Sequence, residues 1–307
     1  MLRYLILFLL PVFFISPVKA QEIKFEGLKE INGTHLFVKV IGEGEPILVV
    51  HGGPGLNHNY FLPHLEQLAK KYQLIFYDQR SAGQSDLSVH TEVNIKQFAE
   101  DIEAIRKEFN IDKLNILCHS WSSIITAEYL ILYPDHVNSV IFCNPSPLNH
   151  EFDIKMNETV MARIQSADSL ARANIIKSDA FKQGDLPTVN ALMKLNIKAA
   201  FCDTTYINRF DPKLPDNYLV ASLSLQGMMY DMKTLNLYDE LKNKNIQAPV
   251  FILSGSCDII PPEAITKLAE CFSQVQQFTF EHSGHYPFIE ETKLFTKRVS
   301  KFMRHTN

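Results

Sequence analysis

Cys118-His119-Ser120-Trp121-Ser122 joins the apolar run Leu114–Leu117 to a helix-like stretch, Ile124–Tyr133. A buried strand that breaks into a helix at a serine flanked by small residues forces the hydroxyl out of a tight turn. This is the geometry of a nucleophile elbow, usually written G-x-S-x-G. Here Cys118 and Ser122 replace both glycines. The bland use of Ser120 is as a helix N-cap. A nucleophilic serine also needs a base, an acid to orient the base, and N–H donors for an oxyanion.

Candidates for those parts follow other strands. Asp258 follows Val250–Leu253 and is the candidate acid, unless it merely caps the helix after Pro261-Pro262. Asp231 and Asp239 are its rivals, but neither follows a buried strand. His285, in Ser283-Gly284-His285, follows Gln276–Phe280 and is the candidate base, with His282 as rival. Gly284 favours His285, because a flexible neighbour helps a loop project an imidazole into a cleft. His51-Gly52-Gly53-Pro54-Gly55 follows Ile47–Val50. A glycine-rich turn at a strand end lets backbone N–H groups face a ligand. A nucleotide loop would need Lys-Ser/Thr or GxGxxG, and neither is present. The N–H groups of Gly53 and Trp121 are therefore the expected oxyanion donors, with Gly52, Pro54 and Trp121 lining the substrate.

The elements that must position these residues are legible. Ile23–Lys29 and Thr34–Ile41 read as strands joined at the turn signal Asn32-Gly33. Ile47–Val50 and Leu74–Tyr77 read as strands buried on both faces, and Leu62–Lys71 has helical spacing. Asn94–Phe109 is amphipathic, with Ile95, Phe98, Ile102, Ile105 and Phe109 on one stripe. Val137–Cys143 is a further strand. Alternating strands and helices predict a mostly parallel sheet covered on both faces, an α/β fold. The alternation lapses over residues 145–235 and resumes with Val250–Leu253, Pro262–Cys271, Gln276–Phe280 and Lys293–Met303. The expected organisation is one core domain, residues 21–144 and 236–307, interrupted by a helical insertion at 145–235.

Composition narrows the function. The chain has 307 residues, 46% hydrophobic and 21% charged, with net charge −4 and no basic run, which argues against nucleic acid as a partner. Residues 1–20 read as an export leader: a positive start at Arg3, an almost wholly apolar run from Leu5 to Ile15, and small residues at Val18 and Ala20. The run is short of the ~20 residues a spanning helix needs, so no stable membrane anchor is expected after cleavage. Losing Arg3 and Lys19 takes the charge from −4 to about −6. The five cysteines, Cys118, Cys143, Cys202, Cys257 and Cys271, form no metal-ligand pattern. An exported protein permits a disulfide, with Cys257–Cys271 the suggested pair.

Taken together, His51–Gly55, Asp78-Gln79-Arg80, His119-Ser120-Trp121, Asp258 and His285 resemble the proline iminopeptidase-like branch of the α/β-hydrolase fold. The likeness runs from about residue 23 to 305 and includes the chain order Ser…Asp…His. It implies an α/β-hydrolase fold with the insertion as a cap. Ser120 would be nucleophile, Asp258 orienting acid and His285 base, with no cofactor and no metal. Asp78, Arg80 and His51 would shape the loops. The implied activity is release of N-terminal proline or similar residues from small peptides. A carboxylesterase or lactonase acting on small acyl substrates is the alternative, and a non-catalytic binding protein with the same pocket is a second. Acids of this branch that hold a substrate's amino terminus are not matched: Ile259 stands where some relatives have Glu, and Glu158, Asp203, Asp211 and Asp231 are simply acids of the insertion. Dehalogenase and epoxide hydrolase chemistry would need Asp in place of Ser120.

Overall fold

The computed structural model describes residues 22–88, 93–225 and 232–306. Eight strands form one sheet in the order β1-β2-β4-β3-β5-β6-β7-β8. β1 (Ile23–Ile31) and β2 (Thr34–Ile41) pair antiparallel across Asn32-Gly33, both of which adopt positive φ (52° and 74°) as a two-residue hairpin turn requires. β2 pairs antiparallel with β4 (Tyr72–Tyr77). From there to β8 every pairing is parallel, through β3 (Glu45–Val50), β5 (Leu114–His119), β6 (Val137–Cys143), β7 (Val250–Gly255) and β8 (Val275–Phe280).

The apolar runs are continuous because each face of the sheet feeds a different core. Leu48 and Val50 of β3 enter one cluster with Ile75 and Ile116, while Ile47 and Val49 enter the other with Leu74 and Phe76. Helix α1 (Ile95–Glu108) starts where Asn94 accepts from Gln97 N, and it buries Phe98, Ile102 and Ile105, as the stripe predicts. Helix α2 (Ser122–Leu132) follows the elbow.

Leu62–Lys71 is not the regular helix its spacing suggests. The segment contains only turns and a short 3₁₀ helix, Leu68–Lys70, following another at His58–Phe61. Leu65 and Leu68 are three apart, which suits a 3₁₀ turn as well as an α-helix. Both leucines are still fully buried.

Between β6 and β7 the chain is helical: α3 (His150–Arg163), α4 (Ser166–Lys177), α5 (Asp179–Lys182), α6 (Leu186–Ile197) and α7 (Tyr218–Ser224). After β7 come the helices Pro262–Ala269 and Thr292–Met303, as expected from their spacing. The suggested Cys257–Cys271 bridge is corrected. Cys257 is bonded to Cys202 of the inserted segment, whereas Cys271 is a buried free thiol that donates to the carbonyls of Tyr238 and Lys267. Folding lays residue 202 against the loop after β7, although the two cysteines are 55 positions apart. The leader reading of residues 1–20 and the rival Asp231 lie outside the described residues.

Candidate active site

Ser120 stands at the end of β5 with φ +57°, the left-handed backbone that a sharp strand-to-helix elbow imposes. The missing elbow glycine at 122 is compensated. Ser122 Oγ accepts from His119 N at 2.8 Å and lies 2.8 Å from Val50 O, so the extra atoms fill the turn with hydrogen bonds. Ser123 Oγ donates to Ser146 O at 3.0 Å. Cys118, in the other glycine position, is fully buried, and burial pushes its thiol up to about 12, so it is an inert packing residue.

Ser120, His285 and Asp258, separated by up to 165 positions in the sequence, meet in one hydrogen-bonded chain. His285 Nε2 lies 2.8 Å from Ser120 Oγ, and His285 Nδ1 lies 2.8 Å from Asp258 Oδ1. The carboxylate can only accept, so Nδ1 carries the proton and Nε2 is free to accept from the serine hydroxyl. His282 is exposed, its N–H bound to Glu291, and Asp239 is exposed on the helix Tyr238–Asn243. Neither rival shares in this chain of hydrogen bonds.

Asn144 was not singled out by its sequence, although it stands directly after β6. It is fully buried, and its Nδ2 donates to Asp258 Oδ2 at 2.6 Å and to Gly284 O at 3.0 Å. It thus holds the acid and the histidine loop together. Ile259 N donates to Asp258 Oδ1 at 2.6 Å.

A second buried network ties the glycine-rich loop to the elbow. Gly52 N donates to Tyr60 Oη at 2.6 Å, Tyr60 Oη lies 2.9 Å from His119 Nδ1, and His119 Nε2 lies 2.8 Å from His285 O. Only one proton order satisfies all three: His119 Nε2–H donates to the carbonyl, and the Tyr60 hydroxyl donates to Nδ1. Burial lowers the His119 pKa well below its ordinary value and keeps the ring neutral, as this order requires. His51 is likewise held neutral by burial, its pKa lowered to about 4; it accepts from Gln79 N and donates to Gly52 O. Asp78 accepts from His58 and Gln84, while Arg80 makes a bidentate pair with Asp101. These residues shape loops, as expected.

Of the four groups expected around a substrate, Gly53 and Pro54 line the cavity above Ser120. Gly52 is not part of that lining, and its N–H is taken by Tyr60. The Trp121 indole turns inward: it is buried, donates to Gln79 Oε1 at 3.2 Å and meets Phe98 edge-on, so only its backbone faces the turn. The cavity holds about 330 Å³. Met156, Val160, Met193 and Ile197 of the inserted segment line it with Ile259. Its neutral polar groups include Ser146, Asn157, Asn196 and Tyr218, and among the described residues no carboxylate or cationic side chain contributes to the lining. Glu158, Asp203 and Asp211 are exposed elsewhere.

Residues 45–292 match the alpha/beta hydrolase fold. The chain belongs to this family. The α/β-hydrolase relatives include a protein named proline iminopeptidase from Heyndrickxia coagulans, 27% identical over 298 residues, which span 91% of this chain and 98% of that one. Among solved α/β-hydrolase structures, an esterase from Exiguobacterium antarcticum matches with a TM-score of 0.68 at 20% identity, over 91% of this chain and 100% of its own. A proline iminopeptidase from Mycobacterium smegmatis matches with a TM-score of 0.65 at 18% identity, over 92% and 98%. The likeness to proline iminopeptidases expected from the sequence thus spans nearly the whole chain.

Proposed function

We propose that this α/β-hydrolase works through an acyl-enzyme. Ser120 attacks a carbonyl as His285 takes its proton, Asp258 stabilises the imidazolium, and the N–H groups of Gly53 and Trp121 hold the oxyanion. His285 then protonates the leaving group, and water releases the acyl group. The observation that carries this reading is the unbroken Ser120–His285–Asp258 chain, 2.8 Å at each step. A fluorophosphonate should label the protein stoichiometrically and fail to label Ser120→Ala. Absence of labelling on the folded wild type would mean a binding protein instead.

For the substrate, we propose small peptides with N-terminal proline or a similar residue. The support is the near full-length likeness to proline iminopeptidases. Helices α3–α7 would act as a cap that keeps long folded chains out. Carboxylic esters are the second reading, favoured by the uncharged lining, because an ammonium group is costly to desolvate without a partner. Comparing prolyl arylamides with short acyl esters decides between them. Turnover of the arylamide at least equal to that of the esters is expected, and turnover of esters alone discards the peptidase.

Gly53 has φ +138°, and a Cβ there would stand 2.7 Å from Gly55 N and 2.9 Å from Leu56 N. Gly53→Ala should displace the oxyanion donor and lower kcat by ~10²–10³-fold, the usual loss for one such donor. An unchanged kcat in steady-state assays would remove Gly53 from this role. Export is also proposed, supported by the leader-like residues 1–20 and by the Cys202–Cys257 bond, which suits an oxidising compartment.

A further inference from the structure

Glu290 closes the short helix Pro287–Glu290 that follows the histidine loop. Its side chain is only 8% exposed, yet both oxygens are occupied. Oε2 accepts from Gly284 N at 2.8 Å, next to the catalytic histidine. Oε1 accepts from Cys202 N at 2.8 Å and from Asp203 N at 3.3 Å, both in the inserted segment. A carboxylate that gives up water needs such charge-assisted bonds in return. Three donors also demand an acceptor at each end of the group, which among side chains of this length only a carboxylate provides.

Other contacts converge on the same place. His285 N donates to Ala200 O at 2.7 Å. Cys202 is bonded to Cys257, the neighbour of Asp258. Arg163, at the end of α3, donates through Nη2 to Asp258 O at 2.7 Å and through Nη1 to Cys257 O. Gly284 packs so tightly on the inserted segment that a Cβ would collide with Ala200 O. The loops bearing the base and the acid are thus both held by the segment that covers the cavity.

We propose that Glu290 is a positioning residue that makes the seating of residues 200–203 and the alignment of His285 a single event. It acts through Gly284 and Cys202 and does not touch substrate. The proposal rests on His285 being the base.

The test uses Glu290→Gln, which keeps the size but turns an NH₂ toward an N–H donor at one end. Competent sites are counted by fluorophosphonate titration, and kcat and KM are measured per labelled site. Misplacing a catalytic group by about 1 Å costs on the order of 10²-fold, so kcat per site should fall about 10- to 100-fold with KM changed less than about threefold. A role confined to stability would lower the melting temperature and the labelled fraction but leave kcat per site unchanged, and that result overturns the proposal. A second arm needs no variant. In hydrogen exchange on the wild-type protein, the amides of Cys202, Asp203 and Gly284 should open together at matching rates. Exchange of the first two at least about 100-fold faster than Gly284 would equally overturn it. Failure of the underlying reading looks different: His285→Ala would then retain activity.

Discussion

Ser120→Ala and His285→Ala are each expected to lower kcat by ~10⁴–10⁶-fold, because members of a triad act as one unit and removing either leaves only binding and oxyanion stabilisation. Among the described residues each has a single partner for the reacting proton. Ser120 Oγ lies 2.8 Å from His285 Nε2, and another hydroxyl, Ser146 Oγ, is at 3.4 Å. Among the described residues no imidazole or carboxylate bonds the Ser146 hydroxyl, so it offers no alternative base. Neither substitution removes a buried backbone partner: Ser120 N still donates to Cys143 O, and His285 N to Ala200 O. The variants should therefore fold, with melting temperatures near wild type, and kcat isolates the chemistry. Losses below about tenfold in both would refute the assignment of nucleophile and base.

Asp258→Asn carries the second largest effect, a fall in kcat of ~10⁴-fold for an isosteric change, as expected when a triad acid can no longer fix the imidazole tautomer. The surroundings leave the amide no good orientation. With its NH₂ in the Oδ2 position, two donors confront each other, because Asn144 Nδ2 already points there. Asn144 cannot flip in response, since the same Nδ2 also serves Gly284 O. With its NH₂ in the Oδ1 position, it meets the N–H of Ile259 and the Nδ1–H of His285. That second arrangement favours the wrong tautomer, whose Nε2–H cannot accept from Ser120. Steady-state kinetics on the purified variant check this, and kcat within about tenfold of wild type would show that Asp258 does not orient the base.

How far the site could be read from the chain depended on how local its signals are. Ser120 follows an apolar run and His285 follows the strand Gln276–Phe280, and in an open parallel sheet the ends of such strands gather at one edge. Asn144 also follows such a run, but an asparagine after a strand is a common turn residue, and nothing local distinguishes one that clamps a carboxylate. Tyr60 lies between the glycine-rich turn and Leu62–Lys71, and nothing local signals that its hydroxyl meets His119, 59 positions away. Glu290 reads as an ordinary acid near a helix start. Its three N–H donors include two from a segment almost 90 positions away.

By itself, then, the sequence determined the alternation of strands and helices, the parallel sheet and the candidates for nucleophile, acid and base. Hydrophobic periodicity and strained turns are properties of a few adjacent residues. Only the tertiary structure decided that Cys202 rather than Cys271 bonds Cys257, that the Trp121 indole serves the core, and that Asn144 and Glu290 bond the loops bearing Asp258 and His285. Those outcomes turn on which distant donor arrives within about 3 Å of which acceptor, and hydrogen bonds that short are set by packing rather than by order along the chain.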